Sequence, residues 1–403
     1  MNDQAQLDRR GLDFELVATP EEREFQRRLR EFLDRELTEE IRRQHPLDLG
    51  LGPEGRVFMR RMGQAGFLGI GWPAQYGGSG GTLVMELILS QEFARREAYL
   101  PNSVARLMAG PVILRHGSEH MKREFLPRIA GGEIEFSLGY TEPTAGSDLA
   151  ALQMRAVRDG DDYVISGQKV FNTQSHFADY HWLATRTDPE APRHGAISLF
   201  VVDQRAPGIT IHPIHTLGGE RTNGVFYDEV RVPATRLVGG VNRGFYYMIE
   251  AIEHERLMLS QNIRLRAFLD RLTAHVRTAS RDGRPLAKDP GVRRRLAQIE
   301  VDFEAALSFE AHALFLLQAG KTIESEGTMT KLVGSELHQR IAYDALDILG
   351  PWGRLEDGAA GAPLAGEVAR LSRATVIDTI GGGTSEVLRN VVAQRSLRLP
   401  RGS

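Results

Sequence analysis

The chain has 403 residues, 41% of them hydrophobic and 26% charged, which is typical of a globular protein with a substantial core. A formal net charge of −3 gives no electrostatic reason to expect a nucleic-acid partner. No apolar run is long enough to cross a bilayer, so we expect no membrane association. The absence of cysteine excludes disulfides and thiolate chemistry, and we expect no metal site. The N-terminus is polar and lacks the apolar core of a signal peptide, so we expect a cytoplasmic protein.

Helices dominate the predicted structure of residues 1–132. Thr19 can cap a helix that begins at Pro20, and Glu22 completes a capping box. The apolar residues that follow recur at helical spacing, which indicates an amphipathic helix ending near residue 45. Four further helices are predicted at about 53–67, 82–98, 102–115 and 118–130. Residues 1–132 are therefore predicted to form a helical domain.

The apolar spacing changes from helical to alternating in residues 133–240. Short β-branched segments are separated by turn residues, as expected for β-strands. The predicted strands lie at about 135–141, 152–158, 162–168, 181–186, 196–203, 209–214 and 224–232. This segment is predicted to be a compact β domain.

The pattern becomes helical again in residues 241–403. Long helices are predicted at about 243–280, 290–319, 326–349, 364–375 and 384–396. Helices of this length usually pack as a bundle, and such bundles often associate with other copies. The order of helical, β and helical domains predicts an α+β fold in three parts.

The stretch Phe136–Asp148 has the composition of a ligand-binding loop. It reads F-S-L-G-Y-T-E-P-T-A-G-S-D, an apolar run that breaks into small residues and hydroxyls. A flat or anionic ligand can closely approach the main-chain N–H groups of such a loop. Thr141 and Ser147 add hydroxyl groups that can donate hydrogen bonds. Taken alone, the pattern also fits a plain surface turn between two strands.

A second segment, Gly167–Thr173, reads G-Q-K-V-F-N-T. Together the two segments resemble the signature elements of the acyl-CoA dehydrogenase family, and the resemblance extends from Pro20 to about Arg401. It includes the loop Gly69–Gly81, which is similar to the family's P-x-x-Y-G-G-x-G connection. The resemblance implies the family's α+β fold, FAD as cofactor, an acyl-CoA substrate, and an electron-transfer flavoprotein or similar acceptor.

The resemblance also implies which residues hold FAD. Thr141 would contact the pyrimidine edge of the flavin, Phe171 would stack on one face of the ring, and Thr173 would reach N5. Ser147 would contact the FAD phosphates or the pantetheine of CoA. The complete implied set is Leu138, Tyr140, Thr141, Gly146, Ser147, Phe171, Thr173, Arg281, Asp347, Gly350, Thr384 and Glu386.

The position of the catalytic base differs from that in much of the family. Many relatives carry it as a Glu near the C-terminus, in a motif like Y-E-G-T, where this chain has Gly382 in G-G-G-T. Glu255 lies instead in the helical segment E-R-L-M-L, which resembles isovaleryl- and long-chain-type members whose base sits on this helix. Its predicted apolar face consists of Met248, Ala251, Ile252, Met258 and Leu259.

Burial would raise the pKa of Glu255 toward the range useful for a base, because the carboxyl has no intrahelical ion partner. Its neighbours are predicted to be paired, Glu253 with Arg256 at i+3 and Glu250 with His254 at i+4. From the residues alone, Glu255 also fits a carboxylate at the edge of the core that accepts hydrogen bonds from another helix. The resemblance favours the base.

Substrate contacts are implied for Ser147, Tyr247, Arg256 and Gly382. The main-chain N–H of Gly382 would donate to the thioester oxygen, and Arg256 would lie near CoA and the base. The implied reaction is α,β-dehydrogenation of an acyl-CoA to the trans-2-enoyl-CoA, in which Glu255 removes the α-proton and hydride passes to flavin N5. A flavin monooxygenase or a nitroalkane-oxidase-like enzyme would share the fold, but the position of Glu255 argues against both.

Two elements that complete the FAD site of homotetrameric relatives are altered in this chain. Asp282 stands where those relatives have Phe, and Pro290 stands where they have Gln. Asp347 takes the place of the Gln in their Q-x-x-G-G-x-G element. Three assemblies remain as alternatives: a self-sufficient homodimer or homotetramer, one subunit of a heteromer that shares a flavin site with a related chain, and a non-catalytic scaffold subunit. We favour the self-sufficient enzyme.

Overall fold

A computed structural model describes residues 18–43, 52–98, 100, 103–258, 262–319, 321 and 325–400. Its N-terminal part contains a π-helical turn, Val104–Ala109, that leads directly into a helix. The helices of this part are α1 Pro20–Glu36, α2 Glu39–Arg43, α3 Pro53–Gln64, α4 Leu83–Arg95, α5 Gly110–His116 and α6 Glu119–Ala130. The predicted end of the first helix, near residue 45, lies outside the described residues.

Helix α1 begins where its sequence predicts. The N–H of Glu22 donates to Thr19 Oγ1 at 3.3 Å, and the N–H of Thr19 donates to Glu22 Oε2 at 2.9 Å, which completes the predicted capping box. The apolar face of α1 packs with α3 and α4 in a core that includes Leu29, Phe58 and Leu89. Burial of this face, more than local propensity, stabilises the helices.

The middle part contains all seven predicted strands, with small shifts at their ends. They are β1 Phe136–Gly139, β2 Arg155–Asp159, β3 Asp162–Lys169, β4 Tyr180–Arg186, β5 Ile197–Asp203, β6 Ile209–His215 and β7 Arg221–Pro233. The strands form one mixed sheet in the order β1-β4-β2-β3-β7-β6, and β5 pairs with β4.

Strand register brings the two candidate flavin segments together. Strand β1 runs parallel to β4, while β3 runs antiparallel to β7. The loop after β1 and the segment after β3 meet where the N–H of Val170 donates to the Thr141 carbonyl at 2.9 Å. The two segments that resemble family signatures are therefore neighbours in space.

The C-terminal part is helical apart from a short hairpin of β8 Ser280–Arg281 and β9 Arg284–Pro285. The single helix predicted at 243–280 is described as two helices, and residues 259–261 between them lie outside the described residues. The helices are α7 Gly244–Met258, α8 Asn262–Thr278, α9 Pro290–Gln318, α10 Glu326–Leu349, α11 Glu367–Ala374 and α12 Ser385–Val391.

Helix α7 is the element at which the three parts of the chain meet. It packs against strand β5, against the π-helical turn of the N-terminal part, and against α10 of the C-terminal part. Helices α8 to α11 share a separate core that includes Leu269, Phe303 and Ile341. The predicted α+β fold is confirmed. Among the described residues, we find neither a helix suited to span a bilayer nor a cluster of three or more side chains suited to hold a metal ion.

Candidate active site

The loop after β1 offers free main-chain donors. Two hydrogen bonds between the main chains of Glu142 and Ala145, at 3.0 and 3.1 Å, close its first turn. Beyond that turn, the N–H groups of Gly146 and Ser147 have no acceptor among the described residues, and both residues are exposed. A Cβ on Gly146 would meet only Thr141 Cγ2, at 3.9 Å. The main chain here is therefore open to a ligand.

A buried ion pair holds this loop to β3. Lys169 is fully buried, and its Nζ donates to Glu142 Oε1 at 2.8 Å and to the Tyr140 carbonyl at 3.1 Å. Glu142 also accepts hydrogen bonds from the N–H groups of Gln153, at 2.6 Å, and Met154, at 3.0 Å. Desolvation lowers the pKa of Lys169 to about 8, and the charge of Glu142 opposes that shift. The pair fixes the position of the loop relative to the sheet.

The segment after β3 presents Phe171 to solvent. Phe171 has φ +58°, a left-handed conformation uncommon for a residue with a side chain, and it is 62% exposed. Asn172 anchors the segment: its Nδ2 donates to the Leu138 carbonyl, and its N–H donates to the Asn223 carbonyl at 2.9 Å. The partly buried Thr173 follows, with its N–H donating to the Phe171 carbonyl at 3.1 Å. A strained turn held from both sides thus displays a phenyl ring on which a planar ligand can stack.

Tyr140 faces the protein interior. Its hydroxyl accepts a hydrogen bond from Trp182 Nε1 at 2.8 Å. Burial raises the pKa of Tyr140, and the nearby charge of Glu255 adds to that rise. Tyr140 therefore links β1 to the predicted base, and only its main chain is available to the loop side of the site.

Helix α7 carries Glu255 at this junction. Met248 and Ala251 on its predicted face are buried, whereas Leu259 and the side chain of Met258 lie outside the described parts. Glu255 is partly buried. Its carboxyl has no hydrogen-bond partner among the described residues. Desolvation raises its pKa to about 7, although the charge of Arg256 opposes the rise. These are the properties of a general base for neutral pH.

The other acidic residues of α7 have partners, but not the predicted ones. Glu250 accepts a hydrogen bond from Arg115 at 2.6 Å and lies 2.9 Å from His116 Nε2. Glu253 pairs with Arg395. The predicted i+3 and i+4 partners act on these carboxylates only through their charges, because side chains of α5 and of the C-terminal segment form the hydrogen bonds instead. Intrahelical pairs are too weak to exclude such partners.

The triple-glycine turn is held by two cations. Arg256 donates from Nε at 3.0 Å and from Nη2 at 2.6 Å to the Gly382 carbonyl, and Lys331 Nζ donates to the Gly383 carbonyl at 2.8 Å. A Cβ on Gly383 would lie 2.7 Å from Arg256 Nη2, so glycine is required for this approach. The N–H groups of Gly382 and Gly383 have no acceptor in the described part of the chain. The turn therefore offers free donors in a fixed position.

Three residues of the implied FAD set lie close together: Arg281, Asp347 and Gly350. Arg281 donates to the Ile348 carbonyl, and its guanidinium carbon would be 3.7 Å from a Cβ on Gly350. Asp347 pairs with Arg295 at 3.0 Å within the chain. The contact of these residues with FAD stays a prediction.

Thr384 and Glu386 lie at the start of α12, beside the glycine turn. The Thr384 hydroxyl accepts a hydrogen bond from the Val387 N–H at 3.3 Å and caps the helix. Glu386 is exposed, and hydrogen bonds from its own main chain and from Thr384 lower its pKa. Their position beside the turn is compatible with the predicted FAD contact, which stays a prediction.

Tyr247 does not present the open face expected of a substrate contact. It is buried, its ring stacks on His116 with centroids 4.4 Å apart, and its hydroxyl accepts a hydrogen bond from the Gly240 N–H at 3.4 Å. Tyr247 therefore packs in the core, and its predicted substrate contact stays a prediction. Its position on α7 is compatible with either core packing or a substrate contact, because Tyr247 is adjacent to the buried Met248 and so lies close to the buried face of the helix.

Sequence reasoning missed three residues that shape the site. Glu142 and Lys169 lie inside the two quoted segments, and the alternation of the strand, which places Lys169 on the same face as Tyr163 and Ile165, was an available signal. Lys331 is one of many charged residues on a long helix, and nothing in its local pattern indicates that it reaches the glycine turn.

Comparison with known proteins covers the same three parts. Residues 19–133 match the N-terminal domain of acyl-CoA dehydrogenases, residues 137–230 match the middle domain, and residues 242–397 match the C-terminal domain. The candidate site thus draws residues from the matched middle and C-terminal domains.

Curated relatives align over nearly the full chain. Acyl-CoA dehydrogenase FadE29 of Mycobacterium tuberculosis is 38% identical over 387 residues, which cover 95% of this chain and 98% of the relative. Acyl-CoA dehydrogenase FadE26 of the same organism is 36% identical over 400 residues, with 96% and 98% covered. The mitochondrial long-chain specific acyl-CoA dehydrogenase of Sus scrofa is 29% identical over 351 residues, with 85% and 80% covered.

Solved structures have the same fold. The Tcur3481-Tcur3483 steroid ACAD has a TM-score of 0.86 at 36% identity, covering 96% of this chain and 100% of that chain. The ChsE4-ChsE5 complex from Mycobacterium tuberculosis has a TM-score of 0.86 at 34% identity, with 96% and 99% covered. The chain therefore belongs to the acyl-CoA dehydrogenase family of oxidoreductases, which act on CH–CH donors and typically use FAD.

Proposed function

We propose that the chain catalyses FAD-dependent α,β-dehydrogenation of an acyl-CoA thioester to the trans-2-enoyl-CoA. The observation that carries this proposal is the environment of Glu255. Its carboxyl has no hydrogen-bond partner among the described residues, its pKa is raised to about 7, and it lies on the helix where the three parts of the chain meet. The chemistry requires a carboxylate of this kind at the α-carbon of the substrate.

Glu255 removes the α-proton of the thioester. A carboxyl with a pKa near 7 is partly ionised at neutral pH and is a stronger base than an ordinary glutamate. Arg256 is the next residue, but its guanidinium hydrogen-bonds to the Gly382 carbonyl. One residue therefore anchors the glycine turn, while its neighbour stays available for the proton.

The glycine turn stabilises the charge that develops on the thioester oxygen as the proton leaves. A main-chain N–H that is already fixed in place can donate a hydrogen bond to this oxygen without reorganising. One such donor typically contributes about 10²–10³ in rate. The N–H of Gly382 has no acceptor within the described residues, and Arg256 and Lys331 hold the turn from α7 and α10. We assign the donor role to Gly382.

The residues around the two β-domain segments fit a flavin. The free N–H groups of Gly146 and Ser147 supply donors for polar atoms of the cofactor, and the exposed Phe171 supplies a stacking surface. Thr141 and Thr173 add hydroxyls at the same junction. When bound, FAD accepts the hydride that leaves the β-carbon of the substrate. An electron-transfer flavoprotein or a similar acceptor would then reoxidise it.

Anaerobic mixing of the purified protein with saturated acyl-CoA thioesters tests the proposed function. We expect loss of the oxidised flavin absorbance and formation of a product with two hydrogens fewer, identified by mass spectrometry. The matching free fatty acids are the control and should leave the flavin oxidised. A flavin-loaded protein that no acyl-CoA reduces would contradict the proposal.

A second candidate function is the base-bearing subunit of a heteromer with an unlike acyl-CoA dehydrogenase chain. Two similar structures carry the names of two different chains each, Tcur3481-Tcur3483 and ChsE4-ChsE5. In this chain Asp347 forms an ion pair with Arg295. Asp347 stands where homotetrameric relatives have a Gln that completes the FAD site, so this part of the site would differ from theirs. Helix α9 also exposes Val301, Phe309 and Phe315, an apolar surface suited to a partner helix.

Flavin stoichiometry separates the self-sufficient enzyme from the heteromer. One FAD per chain in the isolated oligomer supports a homodimer or homotetramer. About half that occupancy, or none until a related subunit is co-expressed, supports the heteromer. A monomer that holds a full complement of FAD and turns over acyl-CoA would contradict both assemblies.

A further inference from the structure

Arg106 is fully buried but only partly hydrogen-bonded. Its Nη1 donates to Glu86, which is also buried, whereas Nε and Nη2 have no acceptor in the described part of the chain. Buried guanidinium N–H groups are nearly always satisfied, because leaving one bare costs its full desolvation free energy. An acceptor that the described residues do not supply therefore belongs beside Arg106.

Arg106 lies on the π-helical turn Val104–Ala109, directly behind the candidate active site. The turn packs against α7 and against β1. Its Met108 and Ala109 share one apolar core with Tyr140, which interacts electrostatically with Glu255. Turns of this type are frequent at functional sites, because the extra residue redirects side chains locally. The bare N–H groups thus belong to a turn that packs against the helix of the proposed base.

His254 is a second polar group at the same boundary. Burial lowers its pKa to about 4, and the charge of Arg106 contributes to that shift, so the two side chains are near one another. The imidazole is therefore neutral at physiological pH. Glu86 pairs with Arg106, and Glu250 pairs with Arg115, the other cation whose charge acts on His254.

We propose that Arg106 forms the polar end of the acyl pocket and donates hydrogen bonds to a neutral oxygen, a carbonyl or a hydroxyl, carried by the acyl group away from the thioester. This inference rests on the proposed function. A plain hydrocarbon chain would leave both N–H groups bare. A carboxylate would add a buried charge that neither Glu86 nor His254 can balance. The favoured substrate class is an oxygenated acyl-CoA.

Matched acyl-CoA substrates test this inference. Short, medium and long straight chains are each compared in three forms: unsubstituted, with a terminal hydroxyl or keto group, and with a terminal carboxylate. We expect kcat/KM for flavin reduction to be at least about tenfold higher for the hydroxyl or keto form at one chain length, as for a hydrogen bond to a charged donor. The carboxylate form should be the poorest.

Removing the ion pair as a unit shows whether Arg106 causes this preference. The double variant Glu86→Gln/Arg106→Met leaves no bare buried charge, so it is expected to fold. It should lose the preference for the oxygenated chain over the unsubstituted chain. Arg115→Met is the matched control, since it removes an exposed cation paired with Glu250 and should keep the preference. Arg106→Lys is the second variant if the double variant unfolds, because it keeps the charge and removes Nε and Nη2, the two groups proposed to donate.

Binding of non-reactive thioether analogues, measured by calorimetry, gives a readout that does not depend on turnover. The oxygenated analogue should bind more tightly than the plain one to the wild-type protein only. Equal values for both forms, a preference for the carboxylate, or a preference that survives in Glu86→Gln/Arg106→Met would overturn the inference. Failure of every acyl-CoA to reduce the flavin would instead contradict the proposed function, and the binding comparison would still decide the role of Arg106.

Discussion

Glu142 and Glu255 are two carboxylates beside the candidate flavin site, and they differ in their partners. Glu142 accepts hydrogen bonds from Lys169 Nζ and from the N–H groups of two residues after the loop. Glu255 has no such donor among the described residues, because the guanidinium of the adjacent Arg256 hydrogen-bonds to a glycine carbonyl. The hydrogen bonds of Glu142 thus compensate its charge, whereas Glu255 lacks such hydrogen bonds among the described residues.

We interpret this difference as the one between a structural carboxylate and the proposed base. The carboxylate of Glu142 forms an ion pair with the buried Lys169, and this pair holds the loop against the sheet. The carboxyl of Glu255 has no hydrogen-bond donor among the described residues, and its raised pKa suits a proton acceptor near neutrality. A buried carboxyl without a partner lowers stability, so its presence at a junction of three parts of the chain indicates chemistry.

Replacing Glu255 tests the reactive half of the comparison and should have the largest effect. In Glu255→Gln we expect FAD to remain bound and flavin reduction by acyl-CoA to slow by about 10²–10⁴-fold, the range for a positioned base. Stopped-flow absorbance measures the rate. Glu250→Gln and Glu253→Gln are matched controls on the same helix, since both carboxylates have ion partners. A Glu255→Gln protein that bleaches at nearly the wild-type rate would remove Glu255 from the mechanism.

Replacing Lys169 tests the structural half. Lys169→Met leaves Glu142 buried without its cation, which should cost about 3–5 kcal/mol in the free energy of unfolding. The double variant Lys169→Met/Glu142→Gln removes both charges and should recover much of that loss. Denaturant unfolding of the cofactor-free proteins measures both values. An equal loss of unfolding free energy in the single and the double variant would contradict a cost that arises from the unpaired charge of Glu142.

The pH dependence sharpens the comparison for Glu255. Only the ionised carboxylate takes a proton, so flavin reduction should rise about tenfold per pH unit below pH 7 and level off above it. Stability should change in the opposite direction. The folded protein holds the proton of Glu255 more tightly than the unfolded chain, in which the carboxyl has its ordinary pKa of 4.5. This contribution to stability is therefore complete below pH 4.5 and is lost as the pH rises to about 7.

Rate–pH profiles and unfolding curves for wild type and Glu255→Gln check both directions. The variant should lose the stability trend across that pH range. A rate in wild type that is flat between pH 5 and pH 8 would contradict a base with a pKa of about 7.

Phe171 gives the smallest expected effect. Phe171→Ala removes the exposed ring of the anchored turn and should weaken FAD binding by about 0.5–1.5 kcal/mol, the range for one aromatic pair. FAD occupancy after dialysis and the flavin spectrum measure the change. The control is Phe226→Ala, which removes an exposed phenyl from strand β7, outside the anchored turn. Unchanged occupancy and spectrum in Phe171→Ala would place the flavin away from this segment.

Local patterns were sufficient for most of the fold. The capping box at Thr19 and Glu22 forms as predicted, because its hydrogen bonds join residues three apart in the chain. The seven strands follow from alternating apolar residues, which require one buried face. The apolar face of Glu255 was visible for the same reason, since helical spacing places Met248 and Ala251 beside it.

Tertiary structure decided which charged groups meet. The partners of Glu250 and Glu253 lie more than one hundred residues away in the chain, and so do the carbonyls that receive Arg256. Helical spacing cannot predict such contacts, because long charged side chains pair with whatever oxygen the packed elements place within reach. The sequence thus identified a glutamate on an apolar stripe, whereas its lack of a hydrogen-bond partner among the described residues was decided only when α7 packed against the sheet and the glycine turn.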